Sequence, residues 1–295
     1  MLIAALDIGS VVTKALLWSA AEDRLLARNQ VPSAWQPGRA AREALAGLDL
    51  AGRPGPLFLA ATGYGRDLLD QAEPAAALAG GLAAPPLLVN EITALARGLH
   101  RLAPDIRLAL DVGGQDAKAL SLDEGGRVKD FILNDKCAAG AGVFVDSLRQ
   151  SFDLDYAGFD RLAASGVPVS LNSMCAVFAQ TELVALVARG VSRADLAAGV
   201  LAALATRLQS QCGRLFQADG GPVALTGGLS RSACFTGFLA RALGRPVAAP
   251  PEASHLAALG AALLAAEKIN PALNPSKRQG EPDEHRRPDR PAKSL

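Results

Sequence analysis

The chain has 295 residues, 50% of them hydrophobic, and a mean hydropathy of +0.20. It carries 30 lysines and arginines against 29 aspartates and glutamates. This composition excludes a disordered or fibrous protein, and it leaves no excess positive charge to attract nucleic acid or an anionic membrane.

The chain lacks the sequence features of a membrane or exported protein. No apolar run approaches the roughly 20 residues that a membrane-spanning helix needs. The first ten residues have no basic stretch, and Asp7 interrupts their apolar run. We therefore expect a cytoplasmic protein with neither a membrane nor a nucleic-acid partner.

Two segments with the same pattern predict two β-hairpins. The first apolar strand ends in Asp7-Ile8-Gly9-Ser10, and a second strand follows it. The pattern returns 104 residues later, where another apolar strand ends in Asp111-Val112-Gly113-Gly114. A repeat at this distance predicts two related domains whose hairpin turns face one cleft.

The segments around these hairpins alternate between strand-like and helix-like patterns, which predicts an α/β protein. We expect one domain over residues 1–104 and a second over 105–251. An Ala- and Leu-rich helix over 252–268 is expected to pack back on the first domain. Residues 270–295 are polar and rich in proline, which predicts a disordered tail.

The glycine turns have the chemistry of phosphate-binding loops, because backbone N–H groups can approach a phosphate where no Cβ intervenes. Gly9 and Ser10 form the first turn, Gly113 and Gly114 the second. A third turn at Thr226-Gly227-Gly228 leaves bare backbone for a nucleoside.

The aspartates at the two hairpins have a different predicted role. Carboxylates repel phosphate but hold Mg²⁺ through water and orient an attacking water. Asp7 and Asp111 are therefore the candidates for these functions. Each turn alone is also ordinary hairpin chemistry, and the prediction depends on all three occurring in this order.

Four further residues near the turns are candidates with open alternatives. Thr13 and Lys14 point to opposite faces of a strand, so only one of them can face the nucleotide. Gln115 either positions water or γ-phosphate or is an exposed residue of the hairpin tip. Lys118 either reaches phosphate or pairs with Asp116.

The order of the three turns resembles that of the acetate and sugar kinase, Hsp70 and actin superfamily. This resemblance covers roughly residues 1–267 and implies two ribonuclease-H-like domains that close over ATP. The chain has no Walker A loop.

The four cysteines are too sparse for a disulfide scaffold, and three histidines are too few for a His-rich zinc enzyme. Cys212 and Cys234 are expected to be small buried hydrophobes. Cys137 and Cys175 each stand near a predicted helix start, where a thiolate is stabilised.

The segments 134–140 and 173–179 closely resemble the cluster-binding segments of the activators of 2-hydroxyacyl-CoA dehydratases. The resemblance implies that Cys137 and Cys175 bind iron–sulfur. Since a [4Fe–4S] cluster takes four thiolates, two per chain suffice only if a homodimer shares one cluster.

The same resemblance implies an ATPase that passes a low-potential electron to a dehydratase or a related reductase. Ferredoxin or flavodoxin would donate that electron. The alternatives are the ATPase subunit of a benzoyl-CoA reductase or an activator of another double-cluster reductase, a sugar or amino-sugar kinase of the same fold, and a cluster-containing sensor without meaningful ATPase activity.

Overall fold

The computed structural model describes residues 1–50, 55–70, 82–134, 142–171, 176–217 and 220–273. In the first half, the elements in chain order are β1 (Leu2–Ile8), β2 (Val12–Ser19), β3 (Arg24–Pro32), α1 (Pro37–Ala46), β4 (Leu57–Thr62), β5 (Leu87–Leu88) and α2 (Glu91–Leu102).

The second half contains more helix. Its elements are β6 (Leu108–Val112), β7 (Ala117–Leu122), β8 (Val128–Asn134), α3 (Gly142–Ser151), α4 (Tyr156–Ala164), α5 (Ala176–Ala188), α6 (Arg193–Phe216), β9 (Val223–Gly227), α7 (Ala233–Leu243), β10 (Val247–Ala248) and α8 (Leu256–Ile269).

The strands form two five-stranded sheets of matching topology, ordered β3-β2-β1-β4-β5 and β8-β7-β6-β9-β10. In each sheet the central strand is antiparallel to the hairpin strand that follows it and parallel to its neighbour on the other side. The two mixed sheets with their helices confirm the predicted α/β class. The outer strands β3 and β8 were not predicted, since their alternating exposed residues give a weak strand pattern.

Strand β1 is buried along its whole length because helices cover both of its faces. Leu2, Leu6 and Ile8 pack with α1 on one face of the strand. Ile3 and Ala5 pack with α8 on the other. This two-sided burial explains why the strand is a continuous apolar run rather than an alternating one.

Helices α2 and α8 cross at very short distance between the two sheets. A Cβ on Gly260 would lie 1.7 Å from the carbonyl oxygen of Ala94, and a Cβ on Gly98 would lie 2.4 Å from that of Leu256. Helix α8 packs on the first sheet, and α2 packs on the second through Leu95. The two helices are therefore the layer that the halves share.

Two predicted boundaries at the end of the chain differ from the structure. Helix α8 begins at Leu256 rather than at 252, because Glu252 adopts a left-handed conformation (φ 56°) and a 3-10 turn follows it. The predicted tail began at 270, but Pro271–Leu273 form a 3-10 turn, and Leu273 packs on the core of the first half. Residues 274–295 lie outside the described residues.

Candidate functional site

The turns of the two hairpins face one cleft that is open to solvent. Most of the residues that sequence patterns predicted for a site line this cleft, namely Asp7, Gly9, Ser10, Lys14, Asp111, Gly113, Gly114, Lys118 and Gly228. The cleft lining does not include Thr13, Gln115, Thr226 or Gly227.

The first turn is held from behind by β3. The Ser33 hydroxyl donates to the Gly9 carbonyl at 2.6 Å and lies 2.9 Å from the Thr13 hydroxyl. Thr13 is fully buried in this contact, whereas Lys14 lines the cleft. Of the two neighbouring candidates, it is thus Lys14 that faces the cleft.

The second turn is bound to the beginning of α3. The backbone N–H groups of Gly142 and Val143 donate to the carbonyls of Gly113 and Gly114, both at 2.8 Å. A Cβ on Gly142 would lie 3.0 Å from the Gly113 carbonyl oxygen, so this contact leaves little space. Gln115 is exposed at the tip of the turn.

The third turn supports Asp111 and then opens into the cleft. The Thr226 hydroxyl donates to Oδ1 of Asp111 at 2.7 Å. Gly227 has a φ of 81°, and a Cβ there would lie 2.3 Å from the Val112 carbonyl oxygen. A Cβ on Gly228 would meet no heavy atom within 4 Å, so its backbone is open to a ligand.

One end of the cleft gathers carboxylates around two lysines. Lys14 Nζ lies 3.1 Å from Asp7, and Lys118 Nζ lies 2.6 Å from Asp116 and 2.9 Å from Glu91. With Asp111, four carboxylates share two ammonium groups, which leaves an excess of two negative charges when Glu91 is ionised. That excess fits a divalent cation with its water shell.

The charges of this end shift the pKa values of its members. Burial opposes the charge of Lys14, but nearby carboxylates outweigh it and raise the lysine pKa. The pKa of Lys118 is raised for the same reason. Burial, with repulsion from Asp7 and Asp111, raises the pKa of Glu91 to about 7 against the attraction of Lys118.

Glu91 was missed as a site residue by sequence reasoning. It is the first residue of α2, after the N-cap Asn90 whose side chain accepts from the N–H groups of Ile92 and Thr93. An acidic residue in the first turn of a helix is ordinary, so only the fold reveals that this one lines the cleft.

The other end of the cleft, beside Gly228, has a polar wall that was also missed. The Tyr156 hydroxyl donates to Asp146 at 2.5 Å. The guanidinium groups of Arg149 and Arg231 lie 4.7 Å and 5.4 Å from the centre of the Tyr156 ring. Burial and the Asp146 carboxylate raise the tyrosine pKa, which keeps the phenol protonated as a donor.

The cysteines divide into two groups. Cys212 is fully buried, and burial raises the pKa of its thiol to about 11. Cys234 was expected to be buried but is only half-buried at the edge of the core, and partial burial together with Asp160 raises the pKa of its thiol. Both thiols are thus poor ligands at neutral pH. Cys137 and Cys175 lie outside the described residues.

The described part of the chain has neither a preformed metal centre nor a membrane-spanning helix. It holds no group of three or more His, Cys, Asp or Glu side chains that could bind a metal ion. None of its helices combines the length and the apolar character needed to cross a membrane.

Comparison with known proteins agrees with this geometry. The chain is 35% identical over 216 residues to the activator of lactoyl-CoA dehydratase of Anaerotignum propionicum, a match that covers 71% of this chain and 76% of that protein. A solved structure of the activator of the 2-hydroxyisocaproyl-CoA dehydratase from Clostridium difficile with bound ADPNP matches 96% of this chain and 100% of its own, with 28% identity and a TM-score of 0.77.

A more distant structure shares the fold alone. The ROK family glucokinase of Streptomyces griseus is 14% identical, with a TM-score of 0.55, and matches 90% of this chain and 99% of its own. This likeness confirms the predicted fold of two mixed sheets of the actin, Hsp70 and sugar kinase type.

The model of the BadF/BadG/BcrA/BcrD ATPase family matches residues 6–265, which is most of the chain. The glycine turns and the paired aspartates and lysines of the cleft all lie within that range. The chain belongs to the BadF/BadG/BcrA/BcrD ATPase family.

Proposed function

We propose that this chain is an ATP-hydrolysing activator that drives single-electron transfer to a 2-hydroxyacyl-CoA dehydratase-type partner. The observation that carries the proposal is the pair of hydrogen bonds from Gly142 and Val143 to the second glycine turn. They connect a turn that faces the cleft to a helix that begins five residues after Cys137.

The cleft residues fit Mg-ATP. The N–H groups of the first turn and of Gly114, with Lys14, would bind the phosphates, and Gly228 would contact the nucleoside. Lys118 is paired with Asp116 and Glu91 and would stay with them. Asp7 and Asp111 would hold Mg²⁺ through water, and Asp111 would orient the attacking water. Gln115 joins them only after the second turn rearranges. Thr13, Thr226 and Gly227 would support these residues from behind.

Cys137 and Cys175 of each subunit would hold one [4Fe–4S] cluster on the axis of a homodimer. Support comes from the donor chemistry, since the two other thiols, one buried and one half-buried, have raised pKa values. When bound, such a cluster supplies a low-potential one-electron carrier.

The second turn would couple nucleotide binding to movement of the helices that follow Cys137 and Cys175. A nucleotide that binds the second turn would also affect α3, because Gly113 and Gly114 accept hydrogen bonds from the first turn of that helix. Helix α5, which begins directly after Cys175, is the second candidate for such movement. We propose ferredoxin or flavodoxin as the electron donor, in the cytoplasm, and residues 1–104 and 105–251 as the two moving domains.

The first test is anaerobic purification with iron and acid-labile sulfide measured per dimer, and electron paramagnetic resonance after dithionite. We expect about four irons per dimer, lost in Cys137→Ala and in Cys175→Ala. Cys212→Ala and Cys234→Ala are the matched controls and should keep the signal. An iron-free monomer would contradict the proposal.

The partner class is tested by ATP-dependent electron delivery to purified acceptors. A 2-hydroxyacyl-CoA dehydratase should be activated in the presence of ATP and not of ADP. Electron delivery only to a benzoyl-CoA reductase or to another double-cluster reductase would favour the alternative function, that of an ATPase subunit or activator of such a reductase. ATP turnover that depends on a sugar, by a colourless protein, would indicate a kinase.

A further inference from the structure

The two halves of the cleft contain the same three residue types in matching register. In the first sheet, Asp7 on β1 lies opposite Lys14 on β2 and beside Thr62 on β4. In the second sheet, Asp111 lies opposite Lys118 and beside Thr226. The two triads can therefore be compared with each other residue by residue.

The contacts within the two triads differ. In the first, Lys14 Nζ lies 3.1 Å from Oδ2 of Asp7, while the buried Thr62 hydroxyl has no hydrogen-bond partner among the described residues. In the second, the Thr226 hydroxyl bonds Oδ1 of Asp111 at 2.7 Å, and Lys118 Nζ stays 3.9 Å from Oδ2. Oδ2 of Asp111 is thus beyond hydrogen-bond distance of its lysine.

Two carboxylates account for the displacement of Lys118. Asp116 Oδ2 lies 2.6 Å from its Nζ, and Glu91 Oε1 lies 2.9 Å from it. The position in the first hairpin that corresponds to Asp116, 104 residues earlier, is Val12. Among the described residues, no second carboxylate lies at hydrogen-bond distance from Lys14. Its Nζ donates to Oδ2 of Asp7.

We propose that Glu91 is a positioning residue that acts through Lys118 to keep Oδ2 of Asp111 open to the cleft. The inference rests on the proposed function, in which Asp111 meets the water shell of a divalent cation. Glu91 belongs to the first half and Lys118 to the second, so the contact also ties this arrangement to the relative position of the halves.

The asymmetry assigns different tasks to the two aspartates. Oδ2 of Asp7 is occupied by Lys14, so Asp7 adds charge and meets the cation's water only through Oδ1. Oδ1 of Asp111 is held by a threonine, and its second oxygen stays available for a cation's water. Without Glu91, Lys118 would be held by Asp116 alone and would move toward Asp111, as Lys14 closes on Asp7.

The test measures Mn²⁺ binding by electron paramagnetic resonance, with the protein saturated with adenylyl imidodiphosphate at pH 8. Glu91→Ala should weaken Mn²⁺ binding about tenfold, the usual effect of losing a residue that orients a metal-site ligand. Adding Lys118→Met to Glu91→Ala should restore Mn²⁺ binding, because no ammonium group is then left to close on Asp111. Glu91→Asp should keep much of the wild-type affinity, because it retains the charge.

Glu124→Gln is the control, since it removes an exposed carboxylate outside the cleft that pairs with Arg107 instead. It should leave Mn²⁺ affinity within about twofold of the wild type, an effect below about 0.5 kcal/mol. Urea unfolding of each variant verifies that it is folded, and Glu91→Gln replaces Glu91→Ala if the latter is not.

The outcomes separate the hypotheses. A loss in Glu91→Ala that persists after Lys118→Met would mean that Glu91 meets the cation or its water itself, and it would overturn the inference. Unchanged Mn²⁺ affinity in Glu91→Ala would also overturn the inference. Wild-type protein that binds neither nucleotide nor Mn²⁺ would overturn the proposed function, and the inference with it.

Discussion

A threonine stands beside each cleft aspartate, and the two hydroxyls differ in what they contact. Thr226 donates to Asp111, whereas the Thr62 hydroxyl, equally buried, has no partner among the described residues. A hydrogen bond to a charged group stabilises a fold, while a buried unpaired hydroxyl costs free energy.

The two threonine-to-valine substitutions should therefore change the free energy of unfolding in opposite directions. We predict a loss of about 1.5–3 kcal/mol for Thr226→Val and a gain of about 1 kcal/mol for Thr62→Val. Urea unfolding of both variants beside the wild type measures the difference. Equal losses in the two variants would show that Thr62 is also hydrogen-bonded.

The carboxyl of Glu91 makes stability depend on pH. Its pKa rises from 4.5 to about 7 on folding, so between these values the folded state binds more protons than the unfolded state. The free energy of unfolding that Glu91 contributes is therefore highest below pH 4.5. It falls as pH rises to about 7 and then stays constant.

We predict that Glu91→Gln is more stable relative to the wild type at pH 8 than at pH 5, because the amide cannot ionise. Urea unfolding at both pH values gives the two differences. Glu124→Gln, in an exposed loop, is the control and should show no such trend. A constant difference between wild type and Glu91→Gln would contradict the raised pKa.

At the scale of elements, the crossing of α2 and α8 determines how closely the two halves approach. Gly260 faces the backbone of α2, and Gly98 faces that of α8. Backbone atoms cannot move aside as the end of a flexible side chain does. The pattern of small residues in α8 is thus a packing requirement as well as a helix preference.

Gly260→Ala should destabilise the protein by about 1–3 kcal/mol through overpacking, although alanine is the better helix former. Gly237→Ala on α7 is the matched control, because its Cβ would meet only the Arg241 guanidinium, at 3.8 Å. That variant should gain up to about 1 kcal/mol. A Gly260→Ala protein as stable as the control would exclude a tight helix crossing.

In the whole molecule, the turns of the two halves meet at the cleft. A Cβ on Gly114, in the second turn, would lie 2.3 Å from Cγ2 of Val11 in the first. A ligand bound to both turns would contact both sheets, which also share the α2–α8 layer. Ligand binding should therefore stabilise the chain as one unit.

We predict that Mg²⁺ with adenylyl imidodiphosphate, at one hundred times its dissociation constant, adds about 2.7 kcal/mol. For a chain of this size the gain should raise the Tm by about 5–10 °C in a single transition. Calorimetry measures the shift, with adenosine as the control that lacks phosphates. Two separate transitions, only one of them shifted, would contradict binding to both halves.

Much of this architecture follows from local sequence features. The two hairpins and the three glycine turns were predictable, because a turn depends on the residues within it and a strand on its own alternation. The 104-residue interval predicted two hairpins of the same kind, and the two sheets have matching strand orders.

Tertiary structure alone decided which side chains meet in the cleft. Strand alternation allowed either Thr13 or Lys14 to face it, and the threonine is buried against Ser33, the residue after β3. Glu91 reaches Lys118, and Arg231 reaches Tyr156, across long sequence separations. Sequence by itself determined the turns and strands because their causes are local, whereas the contacts of the cleft depend on how two distant halves pack against one shared layer.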